Sequence, residues 1–222
     1  MVSSADMARE IMTTHDIIFA NRTRTTAAEI FLNGCVGIAL APYGNHWRQA
    51  RKICSVGFLS LTRVQSFQYA REEEIESLIN NLCRLSREGG SVNLREMLLD
   101  VTNNVIARVV LGQKRQEKEG KIRFGELSRK MAVQFTSFTF GDYFPSWRWL
   151  DEFTGLVSEL KKTSKEMDSY LDKVIEEHKI LRKDDDQCDK KDFVDILLQL
   201  QEDGSLEMEL TRDEIKAIIL VS

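Results

Sequence analysis

Ala41-Pro42-Tyr43-Gly44-Asn45-His46-Trp47-Arg48-Gln49-Ala50-Arg51-Lys52 is the stretch on which the reading of this chain turns. A Pro-Tyr-Gly turn precedes a polar run without a breaker, and side chains four apart in a helix share a face. Trp47 and Arg51 then stand side by side. The indole offers one N–H and no acceptor, while the guanidinium offers a planar fork of donors and keeps its charge. Donors without acceptors suit an anion, and a carboxylate is the usual partner of such a fork. Spacing alone leaves a plainer reading open, a core anchor beside a solvated charge, because amphipathic helices produce such pairs freely.

The chain on the carboxyl side of this stretch reads as a succession of helices. The helix of Trp47 runs to about Val56, and Ser60 caps a long one with Leu61, Val64, Phe67, Ile75, Leu78, Ile79 and Leu82 inward. Arg71-Glu72-Glu73-Glu74 forms its solvated face and Gly89-Gly90 stops it. Asn93 with Glu96 caps a helix that buries Met97, Leu98, Val101, Val105, Ile106 and Val109 and ends at Gly112. Gln113 to Lys121 reads as a charged loop. A shorter helix from Phe124 carries Leu127, Met131, Phe135 and Phe138 as far as Gly141-Asp142 and Pro145. A long helix from about Leu150 to Leu181, a polar loop over 183–190 and a helix near Asp192 to Gln201 follow, closed by Gly204. Thr211 with Glu214 is a capping box that opens an apolar helix running to Ser222.

On the amino side, Ser3 with Asp6 opens a helix from about Ser4 to Thr14, with Ala8, Ile11 and Met12 inward. From His15 to Tyr43 no period holds for long. A loop of that length in a compact domain is usually functional, and its apolar content predicts that it packs around something. The fold class expected from the chain as a whole is all-α, and two prolines in 222 residues agree with long helices.

Composition excludes several classes of function. A net charge of -4 gives no basic field for nucleic acid. No apolar run is long enough to span a bilayer and the N-terminus lacks a signal-peptide pattern, so the chain as written is expected to be soluble and cytoplasmic. Cys35, Cys54, Cys83 and Cys188 form no C-x-x-C pair, which argues against a disulfide framework or a metal site, and Cys54 and Cys83 are expected to be buried thiols. His15, His46 and His178 share no metal spacing, and His46 suits solvent or turn packing. Asp184-Asp185-Asp186 lacks the glycine of a calcium loop and reads as a solvated turn. The aromatic run Phe135, Phe138, Phe140, Tyr143, Phe144, Trp147 and Trp149 suits helix-end packing and a membrane interface equally.

Taken whole, Pro42-Tyr43-Gly44-x-x-Trp47-Arg48-x-x-Arg51-Lys52 resembles the heme-propionate helix of the cytochrome P450 family, in its large plant branch. The similarity extends through Ala5–Phe19, Gly37–Gly44, Leu94–Gly112, Gly141–Pro145 and the start of the last helix at Leu210-Thr211. It implies a partial cytochrome P450 fold over 1–222: a substrate-recognition loop at 15–43, the propionate helix at 44–56, a helix pair roofing the substrate cavity at 124–181 and the start of the long heme-crossing helix at 211–222. The cofactor implied is heme, with Trp47 and Arg51 donating to its carboxylates. Ile30, Val36, Ile38 and Phe135 are the positions expected to touch a small apolar plant metabolite, and an NADPH-dependent reductase is the implied electron donor.

The family's oxygen-activating acid and alcohol pair, its Glu-x-x-Arg pair and its Phe-x-x-Gly-x-Arg-x-Cys-x-Gly ligand loop are not matched in these 222 residues, nor is a small β-sheet or a membrane anchor. The resemblance is therefore to the amino-side helical part of a monooxygenase, expected to be inactive by itself. Membrane attachment, at the cytosolic face of the endoplasmic reticulum, is expected of the intact relative only. An alternative is a non-catalytic helical interaction protein, or a truncated product pairing with full-length relatives through an exposed last helix bearing Ile215, Ile218 and Ile219.

Overall fold

The structure, a computed structural model, describes residues 2–35, 37–112, 118–184, 191–203 and 210–221. Its elements in order are α1 (Ala5–Arg9), α2 (Asp16–Phe19), α3 (Thr26–Phe31), α4 (Asn45–Lys52), α5 (Leu61–Ser66), α6 (Gln68–Arg87), α7 (Leu94–Leu111), α8 (Lys118–Phe135), α9 (Phe140–Tyr143), α10 (Arg148–Phe153), α11 (Leu156–Asp184), α12 (Phe193–Asp203) and α13 (Arg212–Val221). Wider π-helical turns extend α1 over Glu10–Thr14 and α4 over Ile53–Phe58. There is no strand among the described residues, in keeping with the all-α expectation.

Helix α11 organises the core. Leu160, Thr163, Met167, Leu171, Val174 and His178 recur every three or four residues and are buried, so they form one stripe along it. Onto the carboxyl half of that stripe pack Val110 and Leu111 of α7, Phe124 and Leu127 of α8, Phe193 and Leu197 of α12, and Ile215, Ile218 and Ile219 of α13. A smaller cluster of Ala27, Phe31 and Leu160 seats α3 on its amino half. Burying a large aliphatic side chain is worth about 1.5–3 kcal/mol, so α11 is the element whose loss would scatter the others.

Local chemistry sets several ends as the sequence predicts. The Asn93 side chain accepts the Glu96 N–H. Thr211 Oγ1 accepts the Glu214 N–H at 3.3 Å while Glu214 accepts the Thr211 N–H at 2.7 Å, a reciprocal capping box. Gly112 ends α7 at φ 76°, a conformation that a Cβ makes costly.

Other expectations are corrected. The first cap is Ser4, which accepts the Met7 N–H, and not Ser3. The 15–43 stretch is not irregular throughout: it contains α2, and α3 with Thr25 as its cap. The helix expected after Ser60 is divided at Phe67 into α5 and α6, and Ser60 makes no side-chain cap bond. Ile75 and Ile79 of α6 are exposed, as are Leu98 and Ile106 of α7, where Ala107, Arg108, Val110 and Leu111 are buried instead. Glu73 and Glu74 are not a plain solvated face, since both pair with the buried Arg108, Glu74 at 2.9 Å.

Lys118–Lys121 belongs to α8, not to a loop, whereas 113–117, 185–190 with Cys188, and Gly204 lie outside the described residues. Phe138 lies beyond the end of α8, and Gly155 at φ 75° divides the expected Leu150–Leu181 helix into α10 and α11. Cys54 is buried but Cys83 is exposed. The last helix is not an exposed adhesive surface: Ile215, Ile218 and Ile219 are 1%, 2% and 3% exposed. Even Lys216 beside them is buried, held by Asp168 at 2.6 Å and Asp172 at 2.8 Å.

Candidate functional site

Helix α4 begins after Gly44, and Tyr43 is pinned by its own N–H donating to Asn21 Oδ1 at 3.0 Å. Through its eight residues α4 carries Arg48, Arg51 and Lys52 and no acid, so its exposed face is positive. The helical spacing does bring Trp47 and Arg51 together, with the guanidinium carbon 5.0 Å from the indole centroid. That is cation–π distance. Tyr43 also packs on Trp47, its ring tilted 49° with the centroids 5.5 Å apart.

The two donors do not converge on one point, however. The single indole N–H donates to the Ile38 carbonyl at 2.8 Å, tying the preceding loop to α4. Arg51 makes no hydrogen bond or ion pair among the described residues, so all its guanidinium donors remain available in an exposed position. An unpaired fork beside an aromatic ring is donor chemistry that suits a carboxylate, and on that ground Arg51 fits a heme propionate. Trp47 fits as the platform. Its N–H would serve a carboxylate only in exchange for Ile38. His46 faces away from this pair, with Nδ1 3.3 Å from Glu214 Oε1 at the start of α13.

The expected substrate contacts fall in two places. Ile38 is partly buried against the main core, and its carbonyl receives the indole. Ile30 packs on the smaller cluster, and its carbonyl accepts Ser164 Oγ at 3.1 Å, which anchors α3 to α11. Phe135 stacks on Phe31 with centroids 6.4 Å apart. Ile30 and Phe135 thus share a neighbourhood that Ile38 does not, and Val36 lies outside the described residues. A cavity of about 20 Å³ between α3, α8, α11 and α13 is lined by Phe31, Met131, Met167, Lys216 and Leu220, with room for a single water.

The stretch from α9 to α10 is fastened by two aspartates. Asp142 Oδ1 accepts both the Thr26 N–H at 2.8 Å and the Thr26 hydroxyl at 2.7 Å. Burial opposes ionisation of Asp142, but the two hydrogen bonds from Thr26 and the charge of Arg148 win and hold its carboxyl below the usual range. Asp151 is buried and accepts the N–H groups of Phe140 and Gly141, each at 2.7 Å, which starts α9. The aromatics beyond it are mostly exposed, Tyr143, Trp149 and Phe153 among them.

Sequence reasoning missed one constellation, that of His178, Asp192 and Asp195. Its signal was present, because His178 continues the buried stripe of α11 where an aliphatic residue is the norm.

The sequence pattern of the cytochrome P450 family matches residues 1–221. The chain is 46% identical over 221 residues to a phenylacetaldehyde oxime monooxygenase of Prunus mume, covering 99% of this chain and 42% of that protein. It is 42% identical over 223 residues to cytochrome P450 71A1 of Persea americana, covering 99% and 44% respectively. The chain therefore spans less than half the length of these curated relatives. Among solved structures it is similar to a zebra fish cytochrome P450 studied with progesterone, at TM-score 0.73 and 20% identity, over 99% of this chain and 49% of that one. A second structure, with abiraterone, superimposes at TM-score 0.69 and 22% identity. Those two likenesses speak for the fold, and the match along 221 residues speaks for descent: this chain belongs to the cytochrome P450 family.

Proposed function

We propose that the protein to which these residues belong is a plant heme-thiolate monooxygenase, and that α4 is its propionate clamp. The observation that carries this is the unpaired Arg51 fork laid on Trp47 in a chain of this family. When bound, the heme supplies oxygen activation and substrate oxidation, with electrons from an NADPH-dependent reductase. Arg51 contributes a fixed positive charge opposite a propionate, and Trp47 contributes the surface that orients it. Ile30, Val36, Ile38 and Phe135 are proposed to touch the substrate. A small, largely apolar metabolite suits those side chains, and the Prunus mume relative is named for a phenylacetaldehyde oxime.

No helix among the described residues is long and apolar enough to cross a membrane. We place the intact protein at the cytosolic face of the endoplasmic reticulum by its family. None of the four cysteines here has the surroundings of the family's iron ligand, so these 222 residues by themselves are proposed to lack turnover.

Reconstitution of the purified chain with heme, followed by reduction under carbon monoxide, tests this. The expected spectrum lacks the thiolate-type ferrous carbonyl band, and that band in the chain alone would overturn the proposal of inactivity. The coding sequence past the codon for Ser222 tests the parent enzyme. It should continue in frame into an Ala-Gly-x-Asp/Glu-Thr stretch and a cysteine loop, and a stop at that point would sink the monooxygenase reading.

A further inference from the structure

His178 is 1% exposed in the carboxyl half of α11, and both ring nitrogens have partners that only accept. Nδ1 lies 2.7 Å from the Val174 carbonyl oxygen, so Nδ1 must carry a hydrogen. Nε2 lies 2.9 Å from Asp192 Oδ2. A neutral imidazole has one N–H and cannot donate at both ends. The other oxygen of Asp192 accepts the Asp195 N–H at 2.9 Å, at the start of α12, where the helix dipole favours a carboxylate. A second proton must therefore lie between Nε2 and Oδ2.

We propose that His178 is an imidazolium whose two N–H groups fasten the start of α12 to α11, and that this junction loosens as the pH rises and the second proton leaves. Among the described residues the charged groups against the ring are Asp192 and Asp195 from the start of α12. From its own helix it meets the Val174 carbonyl, and the end of α7 presents Gly112, which has no side chain. Burial alone would make the ring less basic. The hydrogen bond and charge of Asp192, the Val174 carbonyl and the charge of Asp195 outweigh it and raise the pKa above the ordinary histidine value. A raised pKa in the folded state stabilises fully below the unfolded value of about 6.5, and the stabilisation is lost as pH climbs through the folded value.

A metal ion is the rival explanation for a histidine nitrogen and carboxylate oxygens within 4.8 Å of one another. A tetrahedral ion with bonds of about 2.0 Å would set two ligands roughly 3.3 Å apart. The observed 2.9 Å is a charge-assisted hydrogen bond, and Asp192 already uses both oxygens.

Asp192→Asn separates the possibilities, because its amide can cap Asp195 with oxygen and donate through nitrogen to a neutral Nε2. The histidine resonances of the 222-residue chain are followed by NMR against pH, and urea unfolding is measured in parallel from about pH 6.5 upward. In the wild type the His178 resonance should titrate above the ordinary histidine value of about 6.5. Its unfolding constant should rise by up to about tenfold per pH unit through that titration, as expected for one proton. In Asp192→Asn the His178 titration should fall and this dependence should disappear. His178 titrating at or below the ordinary histidine value of about 6.5, or an unchanged pH dependence in the variant, would overturn the proposal. So would zinc chloride raising the melting temperature of the wild type and not of the variant. The wild-type titration stands as a test even if the variant fails to fold.

Discussion

Replacing Gly112 by alanine places a methyl group on top of Asp192 Oδ2, with Asp192 Cγ at 3.3 Å and His178 Nε2 at 3.6 Å. Two costs follow. The backbone stands at φ 76°, ψ 144°, a region nearly exclusive to glycine, where another residue costs about 1–3 kcal/mol. Asp192 must also withdraw, and the charge-assisted bond to His178 that it gives up is worth about 1.5–3 kcal/mol. The sum, about 2.5–6 kcal/mol, is a large share of the 5–15 kcal/mol that typically stabilises a domain. Urea unfolding in a double-mutant cycle with Asp192→Ala resolves the two parts. With the carboxylate gone, Gly112→Ala should cost only the backbone component. An equal cost in both backgrounds would mean that Asp192 does not press on Gly112 and would refute the packing described at this junction.

Two further outcomes are expected. Asp142→Ala should destabilise the chain by about 1 kcal/mol, since the paired acceptor for Thr26 is lost from a partly exposed site. The wild type should keep this contribution above the ordinary carboxylate range and lose it as pH falls through the lowered Asp142 pKa, an acid dependence that pH-resolved melting should find absent from the variant. Thr211→Ala breaks the capping box of α13 and should cost about 0.5–2 kcal/mol by urea unfolding, with Ile215 and Ile218 still buried.

Where a feature depends on neighbours in the chain it was legible in the sequence. Asn93 with Glu96, Thr211 with Glu214 and the stop at Gly112 are each determined within four residues. Thr25 before the Thr26–Phe31 helix carries the same kind of signal, but it stands within an apolar stretch without a period, which masks it. Helix faces were less legible. Apolar residues surround α7, so that Val105 with Ile106 and Ala107 with Val110 describe different stripes, and only packing against α11 and α12 chooses between them.

Partners far apart in sequence were not legible at all. Nothing local joins Arg108 to Glu73 and Glu74, Thr26 to Asp142, or His178 to Asp192. Each pair meets because two helices cross there. Helix α4 shows both cases. Its i, i+4 spacing placed Arg51 beside Trp47, but the Ile38 carbonyl that occupies the indole N–H comes from a loop nine residues earlier.

The account stands or falls on whether Arg51 takes a heme carboxylate. Quenching of tryptophan fluorescence, titrated with hemin and with hemin dimethyl ester, asks this directly, because the ester replaces both propionate charges by neutral methyl esters. One charge-assisted contact of about 1.5–3 kcal/mol predicts binding of the free acid about 10- to 100-fold tighter than the ester. Arg51→Ala should abolish most of that difference. Equal affinity for acid and ester, or a preference for the acid that persists in Arg51→Ala, would contradict the clamp.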